Sequence, residues 1–274
     1  MLRSCGSDVV GRAAILSLIV LCAFPRQGRA GAWTLEERTG QAIVTGLYSG
    51  ANESYGADGR AGPRPDFEKG SASALVEYGL TDAVTLLGSG EIGSEREGNY
   101  PFARPALSQL AIGVRVRMYE ADGFVASVQL SGLVQDAQKV GDEATDTFGW
   151  TAPVIEPRAL LGYGFTICGL PAFVNAEAGY RAATGEGPDE TKIDLTAGIR
   201  PLPDLLVLAQ SFSTLSAGRG GGEDAAGYSY HKAQLSAVYD MSETWSLQVG
   251  GFATVAGTDA LKERGLITAL WYRF

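Results

Sequence analysis

Histidine occurs once in this 274-residue chain and cysteine three times, and nothing after residue 24 approaches the ~18 consecutive apolar residues of a membrane-crossing helix. Each shortage removes a class of protein. With His231 alone, a zinc site built on several imidazoles is excluded, as is any mechanism that needs two of them. Cys5 and Cys22 lie near the start; without them only Cys168 remains, and no intramolecular disulfide can stabilise the fold. Basic charge is also scarce. The 22 Lys and Arg stand against 31 Asp and Glu, for a net −9, which argues against a nucleic-acid partner.

What is present at the start has the order of an export signal. Arg3 and Arg12 flank a polar stretch, Ala13 to Phe24 is a twelve-residue apolar run too short to span, and Ala30-Gly31-Ala32 has the A-x-A spacing of a cleavage site. The chain therefore divides into a signal peptide over 1–32, cut after Ala32 or after Ala30, and one domain over 33–274. The leader holds four Arg and one Asp, so removing its +3 takes the net charge from −9 to −12. Cys22 could carry a lipid anchor, but Leu21 stands where a lipoprotein signal has a small residue.

Beyond residue 38 the dominant pattern is alternation with period two, which puts successive side chains on opposite faces of a strand. In Gln109 to Arg117, Leu110, Ile112, Val114 and Val116 share one face, and Gln109, Arg115 and Arg117 share the other. Ala126 to Ser131, Val174 to Arg181 and Ile193 to Arg200 repeat it. Twelve strands are predicted, over 39–50, 67–79, 83–92, 107–119, 124–134, 153–167, 171–183, 191–201, 204–215, 227–240, 245–255 and 262–274. Strands one, three and nine alternate least cleanly. Their connections alternate in length: tight turns at 80–82, 120–123, 168–170, 202–203 and 241–244, and long polar ones at 51–66, 93–106, 135–152, 184–190, 216–226 and 256–261. Short turns at one end, long loops at the other and an even count describe a transmembrane up-and-down antiparallel β-barrel of an outer membrane, all-β, with short periplasmic turns.

The final strand ends Trp271-Tyr272-Arg273-Phe274. Tyr272 and Phe274 resemble the C-terminal signal by which the barrel-assembly machinery recognises outer-membrane proteins, which would make that machinery a partner. Tyr78, Tyr119, Tyr163, Tyr239, Trp245 and Tyr272 near tight turns, and Tyr228 and Tyr230 near a long loop, suit interfacial girdles in contact with outer-membrane lipids and lipopolysaccharide. The run Glu77-Tyr78-Gly79-Leu80-Thr81-Asp82, with the export signal and terminal Phe, resembles the strand-end turn of a family of outer-membrane proteins associated with the meta-cleavage pathway of phenol degradation. The resemblance implies a barrel, hints at transport and brings no catalytic residues.

Sites for chemistry are few. Ser229 and His231 lie two apart on one strand face, in phase with Leu235 and Tyr239, which is the lipid face. Outer-membrane lipid hydrolases place a Ser-His pair on such a rim, but in the order His-x-Ser, and no third residue orients the ring here. Asp142, Glu143 and Asp146 depart from the spacing of a calcium loop, Gly218 to Gly222 lacks the Lys and helix start of a phosphate loop, and Asn52-Glu53-Ser54 is a glycosylation sequon that few bacteria use. No catalytic residue, metal ligand or cofactor is assigned.

The opposite faces carry both signs of charge. Arg115, Arg117, Arg158, Glu177, Arg181, Asp194, Arg200 and Lys232 are the candidates to line the lumen, with Glu77, Glu91, Gln234 and Gln248 beside them. Such residues either border a water-filled passage for a small polar solute or pair into a closed interior. Arg115, Arg117, Arg158 and Arg181 could form a basic stripe that attracts anions. The sequence thus supports a porin-like passive channel or structural envelope protein without enzymatic activity. The alternatives are an outer-leaflet lipid hydrolase using Ser229 and His231, and an adhesion or scaffold barrel.

Overall fold

The computed structural model describes residues 31–135, 153–184, 188–216 and 227–274. Strands β1 (Gly40–Tyr55), β2 (Ala61–Thr81), β3 (Val84–Glu97), β4 (Ala106–Ala121), β5 (Phe124–Gln135), β6 (Val154–Ile167) and β7 (Leu170–Ala183) are followed by β8 (Glu190–Leu202), β9 (Leu205–Ser216), β10 (Ser229–Asp240), β11 (Trp245–Thr258), β12 (Ala260–Leu261) and β13 (Arg264–Arg273). From β1 to β11 each strand pairs antiparallel with the next, β11 pairs with β13, and β1 pairs with both β2 and β13, which closes the sheet. β12 and β13 run beside the same strand, Leu261 opposite Ser54 and Arg264 opposite Gly50, and together form one barrel strand interrupted at Lys262 and Glu263. The barrel therefore has twelve strands, and closure removes every free edge.

Turn chemistry is legible at the short-turn end. Asp122 and Gly123 have φ of 51° and 81°, and Cys168 and Gly169 have 51° and 80°, the paired positive φ of a two-residue hairpin turn whose twist matches the strands it joins. Both chain ends of the barrel meet there: Gly40 N–H donates to the Phe274 carbonyl at 2.7 Å and Phe274 N–H to the Gly40 carbonyl at 2.9 Å. At the other end β1, β2 and β3 run further than the pattern predicts. The segment 51–66, expected as a loop, is mostly a hairpin with Tyr55 opposite Ala61. Its polar residues hid the strand because, above the membrane, water bathes both faces and alternation is not required.

The outward face defines the membrane. Exposed Val44, Val76, Leu86, Ile112, Leu130, Leu161, Leu195, Leu235 and Leu266 cover it. Its lower border is a belt of exposed aromatics at Tyr78, Tyr119, Tyr163, Tyr239, Trp245 and Tyr272. Trp245 lies 4.6 Å from Tyr272, which stacks on Phe274 at 5.7 Å. Ten residues beyond Tyr78 on β2, outward-facing Glu68 marks the upper border, which matches the ~25 Å apolar band of outer-membrane barrels. The outer membrane is therefore the protein's place.

Candidate functional site in the barrel interior

The inward face differs between the two ends. Near the short turns the chain before β1 folds into the barrel, and Ala32 and Trp33 are buried. They sit in an apolar cluster with Val125, Leu160, Phe173, Leu206, Leu208, Val238, Ala269 and Trp271. The Trp33 and Phe173 rings meet edge to face at 5.8 Å. At Gly162 a Cβ would stand 2.6 Å from the Trp33 ring, so only glycine leaves the indole its place.

Backbone groups of this segment are bound by inward-facing side chains from several strands. Ala32 N–H donates to Asn175 Oδ1 at 2.9 Å, Ser127 Oγ donates to the Ala32 carbonyl at 2.5 Å, and Arg115 Nη1 donates to the Trp33 carbonyl at 3.2 Å. Leu35 N–H donates to Thr85 Oγ1 at 2.9 Å. The run Glu77 to Asp82 serves the same segment. Asp82 accepts from Thr34 Oγ1 at its carbonyl at 2.6 Å and from Glu37 N–H at its carboxylate at 2.9 Å. A Cβ on Gly79 would stand 2.1 Å from the Glu36 carbonyl oxygen, so glycine permits the approach. Glu77 pairs with Arg115 at 3.1 Å and accepts from Gln41, while Arg115 also reaches Gln129 at 3.0 Å.

Towards the long loops the interior is charged. Arg158 lies across Gly179 and reaches Asp194 at 2.8 Å, Glu177 at 3.1 Å and also Glu156. Arg181 bonds Glu156 and lies 3.5 Å from Glu190, which also takes Lys192 at 3.1 Å and the Tyr228 hydroxyl. Burial, reinforced by that bond to Glu190, pushes the Tyr228 phenol above its ordinary value. On another sector Lys69 lies 3.3 Å from Glu95 and 3.7 Å from Glu91, and Glu263 takes Lys232 and Ser49, each at 2.5 Å. Between these sectors Gln234 donates to Gln210 at 2.8 Å.

Each of the eight lumen candidates is ion-paired, but in different company. Arg158, Glu177, Arg181 and Asp194 form one cluster. Lys232 belongs to the Glu263 pair. Arg115 belongs to the periplasmic end, where Arg117 pairs with Glu120 and Arg200 with Asp240 at 2.8 Å, which in turn takes Arg273 at 3.2 Å. The basic stripe does not form, because each of the four arginines proposed for it is paired with a carboxylate. Sequence reading missed Glu156, Glu190, Lys192, Lys69, Glu95 and Glu263, although Glu156 shares the phase of Arg158. It also missed that residues before β1 enter the barrel, since they carry no periodicity.

Two expectations are corrected. Tyr228 and Tyr230 do not belong to an outer girdle: they stack at 6.3 Å, with Lys232 Nζ 5.4 Å and Lys192 Nζ 5.8 Å from the Tyr230 ring. Tyr230 shares the inward phase of Lys232. Ser229 and His231 share a face but do not pair. Ser229 Oγ lies 2.9 Å from Thr258 Oγ1, and His231 Nδ1 lies 2.8 Å from Ser213 Oγ across the β9–β10 ladder. Asp142, Glu143, Asp146 and Gly218 to Gly222 lie outside the described residues, as does the signal peptide up to residue 30.

No protein-family model matches the chain, and no curated protein does. Solved structures match its fold. An outer membrane channel from Pseudomonas putida F1 superposes with a TM-score of 0.68 at 13% identity, over 89% of this chain and 98% of that one. The translocator domain of the autotransporter NalP from Neisseria meningitidis gives 0.53 at 11% identity over 91% of each chain. The porin NanC gives 0.52 at 9% identity, over 84% of this chain and 98% of that one. At such identities the likeness is one of architecture, and it agrees with an outer-membrane barrel.

Proposed function

We propose that this barrel is a passive channel for small polar solutes, wide towards the cell exterior and narrowed at the periplasmic end by the segment before β1. One observation carries the reading. In the charged half the ion pairs run along the wall between neighbouring or next-neighbouring strands, as in Arg158 of β6 with Glu177 of β7 and Asp194 of β8, or Lys69 of β2 with Glu91 and Glu95 of β3. Side chains held flat against the wall leave the axis to water. The Arg158 cluster sets three cations (Arg158, Arg181, Lys192) against four carboxylates (Glu156, Glu177, Glu190, Asp194), and the second sector sets Lys69 and Lys232 against Glu91, Glu95 and Glu263. Both carry a carboxylate in excess, so the passage prefers cations weakly.

The test is single-channel recording of the mature chain refolded in detergent and inserted in planar bilayers. Steady steps with a reversal potential on the cation side are expected; a folded, heat-modifiable barrel that never conducts overturns the reading. The resemblance of the Glu77 to Asp82 turn to the phenol-degradation group makes phenol the first solute to try. Recognition of Tyr272 and Phe274 by the assembly machinery belongs with the same proposal, tested by insertion after Phe274→Ala. A second reading, lipid hydrolysis on the outer face, has the His231 to Ser213 contact in its favour. Release of fatty acid by the wild type, lost in His231→Ala, would replace the channel with it.

A further inference from the structure

On the outer face of β13, β1, β2 and β3 the apolar wall is hollowed. Gly46 and Gly70 lie diagonally across the β1–β2 ladder on its outward face, Gly46 opposite Ala72 and Gly70 opposite Tyr48, and with Tyr48, Ile92, Leu266 and Thr268 they border a groove of about 480 Å³. A Cβ on Gly70 would meet no atom within 4 Å, so the hollow is open to the membrane. Directly above it one rung of the ladder aligns Arg264, Gly50, Glu68 and Arg96. Arg96 bonds Glu68 and lies 5.0 Å from the Phe102 ring. Arg264 is exposed and has no ion-pair partner among the described residues, and Lys262 beside it bonds Glu53 at 2.8 Å. Arginine at this height is unusual for the molecule: the other outward positions on strands at the border, such as Ile155, Ala182, Thr191 and Leu215, are uncharged.

We propose that this sector binds lipid A, the twice-phosphorylated, multiply acylated glycolipid of the outer leaflet, with one phosphate on Arg264, the other on Arg96 three strands along the same rung, and an acyl chain in the glycine-floored groove. The guanidinium fork matches phosphate oxygens in pairs. The groove leads from these cations down into the hydrocarbon zone, which a free phosphate would not use and an acyl chain fills. Removing side chains at Gly46 and Gly70 gives the chain its depth. The site does not rest on the channel reading, because a barrel that conducts nothing can still hold the lipid.

The experiment is native mass spectrometry of the refolded mature chain in detergent with added bisphosphorylated lipid A or its dephosphorylated counterpart. Phosphorylated lipid should be retained about tenfold better than the dephosphorylated form, and Arg96→Gln and Arg264→Gln should each weaken it by up to about tenfold, the worth of one charge-assisted contact. Gly70→Leu should weaken both forms by filling the groove. Gly132→Leu is the control: it faces outward on β5, with equally open space at its Cβ, and should change nothing. Equal retention of the two lipids overturns the headgroup assignment. Wild-type binding in both arginine variants and in Gly70→Leu, or equal loss in Gly132→Leu, overturns the site.

Discussion

The two halves of the barrel interior are built from the same wall and solve opposite problems. At the periplasmic end the inward side chains Val125, Leu160, Phe173, Leu206, Leu208, Val238 and Trp271 gather around Trp33 from strands on different sides, and the interior is a small hydrophobic core. At the extracellular end the inward side chains are Arg158, Glu177, Arg181, Asp194, Lys192 and Lys69, paired along the wall. A barrel in a membrane has no need of a central core, since its backbone bonds are satisfied within the sheet and its outer face is covered by lipid. An apolar interior at one end therefore serves to hold something in place, and what it holds is the segment that enters from residue 31.

The strongest way to break this contrast is Phe173→Ala, which removes the ring against which Trp33 packs. It should cost about 3–5 kcal/mol, as for large-to-small changes in a packed core, and urea unfolding of the detergent-folded barrel reads the loss. Trp33→Ala tests the function of the same end: conductance should rise severalfold while the sign of the reversal potential stays unchanged, because the charged half is intact. Arg158→Gln acts on the other half. Its side chain retains some contact with solvent, so loss of the cluster should cost only about 1–2 kcal/mol, below the figure for a fully buried pair. The reversal potential should move further towards cations, since four carboxylates would then face two cations. The smallest effect is expected from His231→Ala on the outer face, within about 0.5 kcal/mol and with no change in conductance. If Arg158→Gln proves costlier than Phe173→Ala, the charged half is the true core and the channel is closed there.

The same contrast explains why some strands were hard to read. β9 begins Leu205-Leu206-Val207-Leu208, apolar on both faces, because its inward residues join the Trp33 cluster while its outward ones meet lipid. β1 shares the difficulty through Ile43, which packs against that cluster. Where the inward side chains are polar, as over Asn175 to Arg181 of β7, in β8 and at the centre of β4, alternation is clean. The run Glu77 to Asp82 was legible as a turn, but its use was not: Glu77 answers Arg115 two strands away, and Gly79 and Asp82 answer residues 34–37.

The sequence alone determined the class, the twelve strands, the end at which the short turns lie, and the two-faced pattern of the cleanly alternating strands, but not the inward place of Tyr228 and Tyr230. These follow from the period of two, which is local geometry, and from the requirement that the outer face be apolar through the membrane. Only the tertiary structure decided which charges meet and where the interior is dry. Pairing depends on the stagger between strands, which places Arg158 beside Asp194 two strands on, and dryness depends on a segment before β1 that has no pattern of its own and finds its place only when strands from around the barrel supply its partners.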